Sequence, residues 1–190
     1  MLDTGYYKEK DLHTLGFKSC GRNVQISKDA RIIGPENVEI KNNVRIDGFT
    51  TIVAVNGYLK LDNYIHIGSY SYLACGSGIH MKDFSGLSQG VKIYTATDDY
   101  SGESLTNPTV PDGFKNIFSG PVILEKHVII GTSTSIMPNL TIGEGSSVGA
   151  HSLVTKTLEP WGVFFGTPAR RLKDRSKKLL ELEKKLNNNG

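Results

Sequence analysis

The sequence predicts an all-β chain: a parallel β-solenoid of short stacked strands, with one long loop inserted and a C-terminal α-helix. Three observations carry this. Aliphatic residues recur every six positions over most of the chain, the recurrence breaks in only three segments, and glycine is abundant. The 21 glycines stand against 7 prolines in 190 residues. That is too few for a collagen-like or low-complexity chain, so the glycines punctuate something regular.

The elements follow in order. Tyr6 to Phe17 sets Leu12, Leu15 and Phe17 among charges with Gly16 near the end, which reads as a short helix with a glycine stop. The ladder then runs through Ile40, Ile46 and Ile52, with Val44 and Thr50 between them. It resumes at Leu61, Ile67, Leu73 and Ile79, and slips by two to Met81, Leu87 and Ile93. After the loop, Leu124, Ile130, Ile136, Ile142, Val148 and Val154 follow at uninterrupted steps of six. A second column keeps pace through Val128, Thr134, Leu140, Ser146, Ser152 and Leu158. Six is neither the 3.6-residue period of a helix nor the 2-residue period of a strand. It suits one side of a triangular coil, a short strand plus a turn with an aliphatic pointing inward. Three sides make a turn of about 18 residues, and stacked turns bury a continuous column. β-branched residues suit the pleated sides. Glycines such as Gly131, Gly143 and Gly149 suit corners that need positive φ.

Between Ile93 and Leu124 the ladder stops. This loop, 94–121, is dense in Asp, Tyr, Ser, Thr and Asn, which favours a polar, hydroxylated ligand; loops this long inside a domain are usually functional. From 169 to 190, Leu172, Leu179, Leu182 and Leu186 stand at helical spacing, and Asn187 to Gly190 ends the run. The expected division is a solenoid domain over 1–168 and a C-terminal helix over 169–190.

Composition removes several function classes. Net charge is +3, from 22 Lys+Arg against 19 Asp+Glu, too small to point to nucleic acid. No apolar run approaches ~18 residues, so no membrane span is expected. The opening Met-Leu-Asp-Thr-Gly-Tyr-Tyr does not read as a signal peptide, and Cys20 and Cys75 are too few for a disulfide framework, so a cytoplasmic protein is expected. No P-loop motif is present.

The exit, IGEGSSVGAHSLVTKTLEPWGVFFGTPARRLKDR over 142–175, runs into Gly166-Thr167-Pro168-Ala169-Arg170. It resembles the G-x-P-A-[KR] tail of the hexapeptide-repeat acyltransferases, most of all the sugar O-acetyltransferase branch with its galactoside and maltose acetyltransferases. The resemblance covers almost the whole chain. It implies a left-handed coil, acetyl-CoA as acyl donor, a sugar hydroxyl as acceptor and a homotrimer. It also implies a coenzyme A slot along the C-terminal coils between two subunits, against Gly131, Ser133, Gly149 and Ala150. Thr167 and the basic tail are then expected near the adenine and phosphates. The residues make the last point sensible on their own, because Lys156, Arg170, Arg171 and Lys173 cluster where the chain leaves the coil, and guanidinium groups match phosphate geometry.

In the resembled family a histidine near the start of the loop is the base. Here Asp98 stands in its place, in Tyr94-Thr95-Ala96-Thr97-Asp98-Asp99-Tyr100. One 18-residue turn before Asp98 is His80, so the two are expected to stack, with His80 taking the proton and Asp98 orienting it. Asp99 and Tyr100 are expected to contact the sugar, and His66 and His127 are further substrate contacts, His66 being reached from a neighbouring subunit. His151 reads as bordering the carrier and His13 as solvated. The γ-carbonic anhydrases share this kind of coil and bind zinc between subunits. Catalytic zinc needs about three protein ligands, and no two histidines here are five apart, so no metal is expected. Two other functions stay open: an N-acetyltransferase acting on a nucleotide-linked amino sugar, and a non-catalytic scaffold.

Overall fold

The computed structural model describes residues 5–188. Its body is a left-handed parallel β-helix of about seven coils whose three sheets form the sides of a triangular prism. The first sheet stacks Ser19–Cys20, Val38–Ile40, Leu59–Leu61, Ile79–Met81, Val122–Leu124 and Leu140–Ile142. The second stacks Val24–Ile26, Val44–Ile46, Ile65–Ile67, Gly86–Leu87, Ile129–Ile130, Ser147–Val148 and Gly162–Phe165. The third stacks Arg31–Ile33, Thr51–Val53, Tyr72–Ala74, Lys92–Tyr94, Ser135–Ile136 and Leu153–Val154.

The six-step ladder is the core. Ile46, Ile67, Leu87, Ile130 and Val148 form one buried column, and Ile52, Leu73, Ile93, Ile136 and Val154 another. Burying each such side chain contributes ~1.5–3 kcal/mol, and parallel sheets need this burial because each strand pair is short. Buried hydroxyls beside the columns cap corner carbonyls: Thr134 Oγ1 and Ser152 Oγ both donate to Gly149 O, at 3.0 and 2.8 Å.

Four expectations change. Coils run 18 residues only after the loop (Ile130 pairs with Val148) and 20–21 before it, where Ile46 pairs with Ile67 and Ile67 with Leu87. The two-residue slip at Met81 is this longer corner. Second, Gly131, Gly143 and Gly149 do not sit at positive φ, which falls to Ser133, Gly145 and His151 two residues on. These three are glycine because the next coil passes too close: an added Cβ on Gly131 would lie 2.5 Å from Ala150 N. Third, the N-terminal helix is one turn, Glu9–Leu12, whose Leu12 is buried against the first coils.

The fourth is at the exit. The chain turns through a cis Thr167–Pro168 bond and returns as Arg170–Asp174, antiparallel to Gly162–Phe165. The expected helix starts only at Leu179 and runs to Asn188; 189–190 lie outside the described residues. A strand forms here because the last coil offers an unpaired edge, and an edge is best covered. The loop is ordered too: Ala96–Thr97 pairs antiparallel with Phe118–Ser119 at its neck.

Candidate functional site

A cleft of about 330 Å³ opens on the outer face of the second sheet. Its floor is Gly86, and its rim comes from the two flanking corners. On one side Tyr64, Phe84 and His127 occupy equivalent corner positions of successive coils, each at φ of 61–62°. That conformation is costly for bulky residues. Here it is held by coil-to-coil bonds such as Phe84 N to Asn63 O at 2.9 Å and His127 N to Asp83 O at 3.0 Å. The rings stack, Tyr64 on Phe84 at 4.7 Å and Phe84 on His127 at 5.1 Å. The other side is Ser88 and Gln89, whose side chains make no hydrogen bond among the described residues, and Arg175 and Leu179 close the end.

The structure brings His66 and His127 to this one cleft. His66 Nε2 lies 2.8 Å from Asp47 Oδ2, and Asp47 also accepts from Arg45 Nε at 2.6 Å and Tyr6 OH at 2.9 Å. Burial works against ionisation of Asp47, yet the bonds from His66, Arg45 and Tyr6 outweigh it and hold the carboxyl below its usual range. His127 is 7% exposed, with Nε2 2.9 Å from Glu183 Oε2 on the C-terminal helix. Lys126 bonds the same carboxylate, and Lys126 first and His127 second hold it below the ordinary glutamate range.

The expected dyad does not form within the subunit. His80 lies on the first sheet with Lys60 and Ile123 as ladder partners, and its Nε2 is 3.2 Å from Asp62 Oδ2. The 18-residue turn used to stack it on Asp98 is too short for these coils, and the chain leaves the ladder after Tyr94 in any case. Asp98 lines a separate hollow of about 290 Å³ with Thr97, Asn107, Pro108 and Lys115. Its carboxylate makes no hydrogen bond or ion pair among the described residues. Asp99 is the reverse. Its carboxylate accepts from the amides of Ser101, Glu103 and Ser104 and from the hydroxyls of Ser101 and Ser104. Those bonds, Ser101 foremost, lower its pKa to about 2. Asp99 thus orders the loop. Tyr100 is 91% exposed beside it.

The carrier residues divide. Gly131, Ser133, Gly149 and Ala150 meet at one corner in successive coils, with His151 N donating to Thr132 O at 2.8 Å. Thr167 reaches the same corner, its Oγ1 3.4 Å from His151 O. Arg170, Arg171 and Lys173 lie on the exit strand rather than at a helix start. Arg171 is partly spent on Asp174 at 2.8 Å and on the Phe164 ring, while Lys156 is exposed past the strand Leu153–Val154. No cluster of His, Cys, Asp and Glu able to hold a metal occurs among the described residues, and none of their helices is long and apolar enough to cross a membrane. Sequence reasoning missed Gly86, Ser88, Gln89 and the aromatic corner. A signal for the corner existed: Asn43, Tyr64 and Phe84 recur at the true 20–21-residue coil length.

No protein-family model matches the chain. It is 42% identical over 178 residues to the dTDP-4-amino-4,6-dideoxy-D-glucose acyltransferase of Escherichia coli, covering 94% of this chain and 93% of that protein. The chain belongs to the hexapeptide-repeat acyltransferases. It is therefore an acyltransferase, and the scaffold alternative falls. Among solved members of the family, AntD, an N-acyltransferase from Bacillus cereus, superposes with a TM-score of 0.93 at 42% identity over 97% of both chains, in a complex with dTDP and 3-hydroxybutyryl-CoA. A Vibrio cholerae hexapeptide-repeat acetyltransferase at 20% identity, covering 90% of this chain and 82% of its own, shares the fold with a TM-score of 0.58. The first two are amino-sugar and N-acyl enzymes by name, which corrects the galactoside and maltose branch inferred from the tail.

Proposed function

We propose that this acyltransferase moves an acyl group from a coenzyme A thioester to the amino group of a dTDP-linked amino sugar. The observation that carries this is the near full-length likeness to the Escherichia coli enzyme. It replaces transfer to a sugar hydroxyl, and the chemistry of the loop supports the change. Residues 94–121 hold no histidine, and a carboxylate is a weak base toward a hydroxyl near neutral pH. An amine asks less: in its neutral form it is already a nucleophile, and a carboxylate attracts and orients it. Asp98, with nothing else to bond, is assigned that part.

The amine nitrogen attacks the thioester carbonyl carbon, the C–S bond breaks, and the proton shed by nitrogen leaves with the coenzyme A sulfur. The products are an amide and the free thiol. Solved AntD complexes include variants at a serine and at an aspartate ten positions further on, with dTDP or its 4-amino-4,6-dideoxyglucose derivative and coenzyme A bound. Ser88 and Asp98 of this chain, at the loop's approach and within it, have the same spacing. Ser88 lines the second-sheet cleft while Asp98 lies in the loop hollow, so we assign the two halves of one site to neighbouring copies in a closed trimer. The exposed stacked pair Phe49 and Tyr70, 58% and 64% exposed, supports such a contact. Gly131, Ser133, Gly149, Ala150, Thr167 and the basic residues Lys156, Arg170, Arg171 and Lys173 remain the proposed slot for coenzyme A.

Steady-state kinetics test the assignment. Asp98→Asn is expected to lower kcat/KM by ~10²-fold or more, in the range for groups that handle the reacting proton, with calorimetry showing unchanged coenzyme A binding. Full activity in Asp98→Asn would contradict it, and light scattering showing a stable monomer at micromolar concentration would contradict the shared site.

A further inference from the structure

Resting on that reading, we propose that the cleft over Gly86 receives the acyl chain of the donor, and that the missing side chain at Gly86 lets the enzyme take chains of about four carbons rather than acetyl alone. Gly86 is not at positive φ, and a Cβ built on it would meet nothing closer than His66 O at 3.6 Å. Neither backbone nor packing requires glycine there, unlike Gly131 or Gly149. Its outward-facing ladder partners, His66 and Ile129, carry side chains. What the glycine supplies is the open floor of the cleft.

Charge then selects the occupant. The cleft's strongest cation, Arg175, turns Nη1 onto the carbonyls of His127, Gly145 and Ser146 at 2.8, 2.9 and 3.3 Å, and His66 already faces the Asp47 carboxylate. With its cation turned onto backbone carbonyls and its imidazole onto a carboxylate, the cleft suits a neutral acyl chain better than a diphosphate. Phe84, Ile129 and Leu179 give the cleft apolar walls. Its mouth holds Ser88, assigned to one site with the amine-orienting Asp98, and the acyl carbonyl must lie within bonding distance of the acceptor nitrogen. The free Ser88 hydroxyl and Gln89 amide also suit a hydroxyl on the chain, and AntD has been solved with a 3-hydroxybutyryl donor.

The test is a chain-length profile on the intact oligomer: kcat/KM for acetyl-, butyryl-, 3-hydroxybutyryl- and octanoyl-CoA with one dTDP-amino sugar. The wild type is expected to use the four-carbon donors at least as well as acetyl-CoA. Gly86→Val is expected to lower the four-carbon to acetyl ratio by ~10-fold or more, the scale on which a few methylenes discriminate. Gly86→Ala, whose methyl meets no clash, is expected to shift the ratio the same way by less, and serves if the valine variant folds poorly. An unchanged ratio in both variants, or a wild type confined to acetyl, overturns the chain-length inference while leaving N-acyl transfer standing. No transfer from any of the four donors overturns the functional reading itself and this inference with it.

Discussion

Glu183→Gln is expected to free the C-terminal helix from the cleft it closes. The helix holds on by little else: Leu182 and Leu186 are 65% and 45% exposed, so its apolar stripe buries only part of its area. The Glu183 carboxylate, 13% exposed, meets His127 at 7% and Lys126 at 35%. A charge-assisted bond to a buried imidazole and one to a screened lysine together contribute ~1–2 kcal/mol to docking. At 1.4 kcal/mol per factor of ten, amide exchange over 179–188 is expected to quicken ~5–30-fold. Hydrogen exchange followed by mass spectrometry reads this directly, and the same variant is expected to loosen Leu179 and Arg175 over the cleft. The wild type has a matching pH dependence. Because the folded carboxyl is held below its ordinary value, the docking energy is complete above that value and is lost as pH falls through the lowered one. Unchanged exchange in Glu183→Gln, or protection constant below pH ~4 after correction for intrinsic rates, would refute the latch.

Two further outcomes follow from single residues. Ser85 Oγ is buried without a hydrogen-bond partner among the described residues, in a column between Ile65 and Val128, so Ser85→Ala is expected to stabilise by ~1 kcal/mol and raise Tm by ~2–4 °C in calorimetry. His80→Ala is expected to keep kcat/KM within ~3-fold, well short of the ~10²-fold that loss of a proton-handling group costs, because His80 serves Asp62 on the first sheet.

The solenoid was legible because its core repeats: one aliphatic per side writes a six-residue period into the chain, and every residue of that ladder from Leu124 to Val154 is buried. The site was legible only in part. The family resemblance pointed to Asp98, whose role is a proposal, and His66 and His127 do share a cleft. The His80–Asp98 stack failed because register accumulates, and two or three extra residues in each early coil shift every later neighbour. Gly86 was invisible for a different reason: a missing side chain reads as loss of pattern, and only the surrounding surface shows that it makes room. Arg170–Asp174 misled through Leu172, whose helical spacing to Leu179 outweighed the edge waiting beside Gly162–Phe165, and Leu172 is in fact 65% exposed.

The central claim is transfer to nitrogen. Incubating the protein with acyl-CoA and dTDP-4-amino-4,6-dideoxyglucose, beside the same nucleotide sugar bearing a hydroxyl at that carbon, and weighing the products by mass spectrometry, tests it in one measurement. The account predicts one added acyl group on the amino substrate alone, stable to hydroxylamine as an amide is. An acylated hydroxyl sugar cleaved by hydroxylamine, with the amino sugar untouched, would contradict it.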